Sequence, residues 1–213
     1  MRAKLAITLL ALALVPALAA GCGDTSGSAR AATERASACP RAWRADWQRL
    51  ADRTQARVYC PAWLPQPLTG QLAPDTTYPG GGGLALSVSR DRSWLASMLA
   101  TDETGEVHVA FRAYPGRTAI PRCRQDDTLA GKTVHRTVPC FDDPHGEYRA
   151  GPIRATLYTV NQGVDQWHLL YAWRRAGTLY TLSEHVTPPY SYPQVLANLH
   201  RMLRRLVPLA PSR

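Results

Sequence analysis

The residues able to do chemistry are few and scattered. Asp142-Asp143-Pro144-His145-Gly146-Glu147 is the densest acidic–histidine group, and its side chains could ligate a hard or borderline cation. The same composition also makes a polar turn, which Asp, Pro and Gly favour for backbone reasons. Glu106 and His108 are two positions apart, so a strand places them on one face as an acid–base pair. An exposed polar strand face explains them equally well. Tyr190 and Tyr192 stand among Pro188, Pro189 and Pro193, as an aromatic ledge or simply a rigid approach to a helix. Gly-x-Ser-x-Gly, Ser-x-x-Lys and His-Glu-x-x-His are absent. Gly80 to Gly83 lacks the lysine and hydroxyl of a phosphate loop and reads as a linker. No catalytic residue, metal ligand or cofactor is assigned on this basis.

The N-terminus carries the most specific signal. Arg2 and Lys4 precede an apolar run from Leu5 to Leu18, followed by Ala19-Ala20-Gly21-Cys22. This order resembles bacterial lipoprotein signal peptides. The resemblance implies cleavage before Cys22 and diacylglycerol on its sulfur. Residues 1–21 are then the signal peptide. Two acyl chains bury enough methylenes, at about 0.8 kcal/mol each, for stable anchoring. The run is too short for an ordinary transmembrane span, and Pro16 interrupts it. The chain is expected outside the cytoplasm, tethered to a membrane by lipid. Arg and Ala richness resembles lipoproteins of GC-rich actinobacteria.

Cleavage removes Arg2 and Lys4 and lowers the formal charge of +9 by two. The remaining basic residues are nearly all Arg and do not cluster. Genome composition explains them, with attraction to anionic headgroups as the alternative. Nucleic acid is excluded as a partner by the compartment and by the absence of a binding motif. Lipidation accounts for one of five cysteines. Cys39, Cys60, Cys123 and Cys140 remain, an even set in an oxidising compartment, which reads as disulfides. Of three connectivities, the local pairing Cys39–Cys60 and Cys123–Cys140 is expected, because each pair flanks one local unit. Each loop contributes about 3 kcal/mol in the chain-entropy model. No free thiol is then left for nucleophilic work.

The elements that must position these residues follow from periodicity. Residues 22–38 are small and polar and form a flexible tether, roughly 20–24 Å in r.m.s. span. Residues 39–213 form one extracytoplasmic domain. Pro40 to Thr54 repeats Trp43, Trp47, Leu50 and Thr54 at helical spacing, a core face in preference to a binding platform. Arg57 to Pro65 is a short strand running into proline turns. Strands are expected at Leu84 to Ser89, Glu106 to Arg112, Lys132 to Val138 and Ile153 to Val160. Trp94 to Leu99 is ambiguous between strand and helix. Gln166 to Arg174 places Trp167, Leu169, Tyr171 and Trp173 on one face. Arg175-Ala176-Gly177 turns it into a hairpin with Thr178 to Glu184. Pro193 to Leu206 is a helix with Val195, Leu196, Leu199, Met202, Leu203 and Leu206 as its stripe; Ser191 caps it and Pro208 stops it. The fold class is α+β, an antiparallel sheet packed by an N-terminal and a C-terminal helix and stapled by two disulfides.

Two stretches carry a second resemblance. Tyr59-Cys60-Pro61-Ala62-Trp63 is similar to the Tyr-x-Pro-x-x-Trp opening of the PsbP-like fold, with Trp63 one residue early. Trp173-Arg174-Arg175-Ala176-Gly177-Thr178-Leu179-Tyr180, with a final amphipathic helix, is similar to its close. The segment between, with its two cysteines, has no counterpart. The resemblance implies an antiparallel sheet between helices, found in extracytoplasmic lipoproteins and non-catalytic accessory proteins. The expected function is a membrane-anchored binding or accessory module of the cell envelope, with a lipid, glycan or envelope protein as partner. The alternative is an extracytoplasmic hydrolase or metal-dependent enzyme whose site is assembled from dispersed residues.

Overall fold

A computed structural model describes residues 38–72, 83–162 and 167–212. The expected signal peptide, Cys22 and all but the last residue of the expected tether lie outside them, as do Gly80 to Gly82. Helix α1 (Arg41–Thr54) is followed by the short strand β1 (Val58–Pro61). Then come β2 (Gly83–Val88), β3 (Trp94–Asp102), β4 (Gly105–Tyr114), β5 (Arg122–Leu129), β6 (Lys132–Pro139), β7 (Phe141–Ala150), β8 (Ile153–Asn161), β9 (His168–Arg175) and β10 (Thr178–His185). Helix α2 (Tyr192–Arg204) and β11 (Leu206–Leu209) close the chain. Seven strands form one antiparallel sheet in the order β2-β3-β4-β10-β9-β8-β7, while β1 pairs with β11 and β5 with β6.

Local chemistry sets these boundaries. The β9–β10 hairpin turns on Ala176 and Gly177, both at positive φ, which matches the right-handed strand twist. Ala130 and Gly131 do the same for β5–β6. At the start of α2 the Gln194 side-chain oxygen accepts from the Ser191 N–H and hydroxyl, filling the cap position. Trp94 to Asp102 resolves as strand, and its buried positions alternate.

Both helices cover the same sheet face. Trp47, Leu50 and Ala51 of α1 and Val195, Leu199, Met202 and Leu203 of α2 share one buried cluster with Trp94, Val109, Phe111, Tyr171, Trp173 and Leu182 of the sheet. Trp47 is fully buried, meets Trp94 and Phe111 edge-on, and donates its indole N–H to the Gly70 carbonyl at 2.7 Å. Gly70 has no room for a side chain, since an added Cβ would sit 2.8 Å from the Trp43 ring. Trp43 donates to the Pro61 carbonyl at 2.9 Å, so both tryptophans are core anchors. Near the other end, His200 of α2 stacks flat on Tyr148, 3.8 Å between centroids, and bonds the Tyr171 hydroxyl at 2.8 Å.

The disulfides are Cys39–Cys60 and Cys123–Cys140, as the local pairing predicts. The first ties the start of α1 to β1, and the second ties β5 to the junction of β6 and β7. Four expectations need correction. Asp142 to Glu147 is no loop: it lies in β7, an edge strand whose register shifts between Pro144 and Glu147. A bulge with Asp143 and Gly146 at positive φ absorbs the residues that read as a turn. Trp167 leaves the expected core face; it precedes β9, has positive φ and is 79% exposed. Leu206 lies beyond α2, because the chain re-extends there to pair with β1. Pro208 is a residue of that strand, which tolerates proline because it is one of only two. Strands β5, β7 and β11 had no period-2 apolar signal; β5 and most of β7 expose polar residues on both faces.

If the Trp stripe is core, Trp47→Ala costs about 3–5 kcal/mol through the cavity left behind. Trp47→Phe keeps the ring, loses the bond to Gly70 and costs less. Urea denaturation followed by circular dichroism measures both; a near-neutral Trp47→Ala would instead mark a surface platform.

Candidate functional site

The sheet face turned away from the helices divides in two. One part is apolar: Phe141, Tyr158, Leu170, Ala172 and Leu179 form a second buried cluster, with Tyr114, Ile120 and Cys140 packed against it. The other part is polar, and it holds a row of three histidines. Hairpin register puts His185 of β10 opposite His168 of β9. One step on from the Glu184–Val109 pair, the same antiparallel pattern sets His185 beside His108 of β4. Three imidazoles thus stand side by side on three adjacent strands, on the same face because strand side chains alternate.

Their surroundings are polar and specific. His168 is buried, and its Nδ1 lies 3.0 Å from the Ser183 hydroxyl. Asn161 donates its amide N–H to the His168 carbonyl. His185 Nδ1 is 2.8 Å from Glu106 Oε1, and His108 Nδ1 is 3.8 Å from the same oxygen. His108 Nε2 meets the Ser97 hydroxyl at 2.7 Å. His108 and His185 keep 15% and 23% of their side-chain surface open to solvent, so the row can be reached from outside. Burial, with the positive potential of His108, His185 and Arg112 added, pushes the His168 imidazole down to about 2. It is therefore neutral at any ordinary pH, as a ligand or acceptor imidazole must be.

Three chemistries come into question for such a row. A serine, a histidine and a glutamate come close to a nucleophilic relay in Ser97, His108 and Glu106. Ser97, however, sits mid-strand in β3, paired on one side with Ala85 and on the other with Ala110. Its neighbouring backbone N–H groups belong to ladders, so the backbone supplies no oxyanion hole beside it. Glu106 is also nearer His185 than His108, leaving the relay without its orienting acid. Hydrogen bonding to a polar ligand is the second chemistry. Metal ligation is the third, since the three rings each offer a nitrogen, all within 4.8 Å of one another.

Sequence reading singled out Glu106 and His108, and they do belong together here. It assigned nothing to His168 or His185. The Asp142–Glu147 group is not gathered for one cation: Glu147 pairs with Arg154, Asp143 accepts from Thr159, and His145 is 3.8 Å from Asp143 in open solvent. Tyr190 bonds the Gln66 carbonyl at 3.1 Å, whereas Tyr192 is exposed. Cys22 lies outside the described residues. No protein-family model, curated protein or solved structure matches this chain.

Directly behind the row, on the helix side, Glu184 is buried. Its Oε1 accepts from Asn198 of α2 at 2.8 Å, while Oε2 has no partner among the described residues. Burial raises this carboxyl from 4.5 to about 8, the Asn198 bond opposing only in part. The folded state thus holds a proton that the unfolded chain releases, so this group's contribution is full below pH 4.5 and is lost as pH rises through 8. Glu184→Gln keeps the Asn198 contact and removes the ionisable group. At pH 8 it is expected to stabilise the fold by about 1–3 kcal/mol, with little effect at pH 4.5. Urea midpoints at the two pH values check this.

Proposed function

We propose that this chain is a lipid-anchored extracytoplasmic protein that binds a ligand and does not catalyse. The observation that carries the binding half is the placement of the histidine row. It stands on three adjacent strands of one sheet, with His108 inside β4 and His168 and His185 on the last rung of the β9–β10 hairpin, so the sheet holds the three rings in fixed geometry for a ligand. The two disulfides support an oxidising compartment. The order of basic start, apolar run and small residues before Cys22 supports anchoring through lipid on that cysteine. The mature protein then stands at the outer surface of a membrane on its tether, in reach of lipid, glycan or envelope-protein partners.

The PsbP-like resemblance belongs to the same reading. Its two stretches meet in the core, where Tyr59 packs edge-on to Trp173 and Tyr180 at 5.5 and 5.0 Å. The apolar face of β9 and the α2 stripe close on each other in that core. A binding surface is therefore argued for the opposite face, where the polar row lies.

Two measurements test the proposal. Intact mass of membrane-extracted protein should show a diacylglyceryl group on an N-terminal Cys22, and Cys22→Ala should release the chain from membranes. The full-length protein in detergent should show no turnover of ester, peptide or glycoside substrates. Turnover that vanishes in a folded Ser97→Ala or Glu106→Gln protein would establish the hydrolase alternative.

A further inference from the structure

We propose that His108, His168 and His185 form a binding site for one divalent transition-metal ion of the zinc class. The proposal names the ligand of the binding row and does not depend on the lipid anchor.

Convergence is the first argument. Neighbouring strands lie about 4.8 Å apart, so β4 and β9, separated by β10, are about 10 Å apart at the backbone. Yet the His108 and His168 rings approach to 4.7 Å between centroids, perpendicular to each other. The outer two imidazoles therefore lean inward over the middle strand. His168 and His185 lie nearly parallel, 5.1 Å apart. Side chains on a sheet face ordinarily stand upright; these three point at a common volume. The ligand nitrogens are within 4.8 Å of one another, and a tetrahedral ion with bonds of about 2.0–2.1 Å needs them about 3.4 Å apart. Small ring rotations close that difference.

Orientation is the second argument. Imidazole ligands hold a metal well when the other ring nitrogen is bonded to a carboxylate or another oxygen acceptor. Glu106 takes Nδ1 of His185 and Ser183 takes Nδ1 of His168, which assigns the metal to Nε2 of both. Ser97 holds His108. The donor set selects the metal. Three imidazole nitrogens suit zinc, copper, nickel or cobalt, and not magnesium or calcium, which demand oxygen. With three protein ligands, the fourth position is left for water or for a donor group of a further ligand. The open sides of His108 and His185 give it access.

The third argument is comparison within the molecule. The six histidines include His135 and His145, which also stand near carboxylates, at 2.7 and 3.8 Å. Each is exposed and, among the described residues, belongs to no group of three such ligands, whereas the row brings three imidazoles together. The cysteines of the domain are oxidised and cannot compete as thiolates.

The test uses the untagged full-length chain in detergent, stripped with chelator and titrated with Zn²⁺ against a chromophoric competitor. One Zn²⁺ per chain is expected, with micromolar or tighter affinity and no uptake of Mg²⁺ or Ca²⁺. Co²⁺ should give the intense visible bands of a tetrahedral site. His108→Gln and His185→Gln should each weaken binding more than tenfold, and Glu106→Gln about 10- to 100-fold. His135→Gln and His145→Gln should leave it unchanged. Circular dichroism establishes that each variant is folded; since His168 is buried, the two partly open histidines decide if His168→Gln is not. Failure to take up Zn²⁺, or uptake that survives in folded His108→Gln and His185→Gln proteins, overturns the proposal. Hydrolytic turnover by the zinc-loaded protein would instead overturn the non-catalytic reading and leave the metal site standing.

Discussion

A seven-stranded sheet has two faces, and both helices of this chain cover the same one. The other face must be reconciled with water by different means, and the rest of the structure follows from how that is done. Part of it is closed by side chains alone: Phe141, Tyr158, Leu170, Ala172 and Leu179 pack together under Tyr114, Ile120 and Cys140. The Cys123–Cys140 bridge holds the β5–β6 hairpin to that covering segment. Without a third layer the remainder stays accessible, and only polar residues can occupy it without cost. The histidine row stands where the covering stops. His168 lies two residues from Leu170 of the apolar cluster and is buried, while His108 and His185 keep an open side. The site is thus a boundary between a small core and solvent.

This boundary also explains why one strand position carries opposite chemistry on its two sides. Glu184 points into the helix-covered core and is held protonated there by burial; His185, next in sequence, points into the row. Each buried ionisable group is kept neutral in its own way. His168 is denied its proton by burial and by the positive neighbours beside it, and Glu184 is denied ionisation by burial that its single bond to Asn198 does not offset. Burying both as charges would cost several kcal/mol apiece. The central strands thus carry an ionisable side chain on each face, with His168 and Glu184 both held neutral near pH 7.

Much of the fold was legible from period alone. The stripes Trp47, Leu50, Thr54 and Val195, Leu199, Met202, Leu203 are helical faces and bury as such. Val107, Val109 and Phe111 alternate with Glu106 and His108 just as β4 does. The polar strands β5 and β7 were illegible, because β5 and most of β7 pack neither face fully and so carry no apolar alternation, whereas the polar β6 was expected at Lys132 to Val138. Trp167 shows the limit of extending a pattern by one residue. Its neighbours Leu169, Tyr171 and Trp173 share a face, but the chain enters β9 only at His168, and a positive φ turns the tryptophan out. Cysteine pairing was legible because locality and geometry agree: both bridges close short loops.

The site was half legible, and the missing half was within reach. Glu106 and His108 declared themselves by their spacing on one strand. His168 and His185 are seventeen residues apart and share no motif, so no local rule connects them. They are nonetheless linked by the Ala176-Gly177 turn. A two-residue hairpin loop fixes register, so counting outward from Arg175 and Thr178 reaches His168 and His185 on the same rung. What no counting supplies is the neighbour on the other side, because β4 and β10 are separated by more than sixty residues and meet only through the strand order of the sheet. Constellations on central strands are in general of this mixed kind. Hairpin partners follow from turn chemistry, whereas the long-range neighbour follows from the burial of the opposite face. Here that burial is the alignment of Val109 and Phe111 with Glu184 and Leu182, which locks β4 to β10 and thereby sets His108 beside His185. The core on one side of the sheet thus determines which polar residues meet on the other.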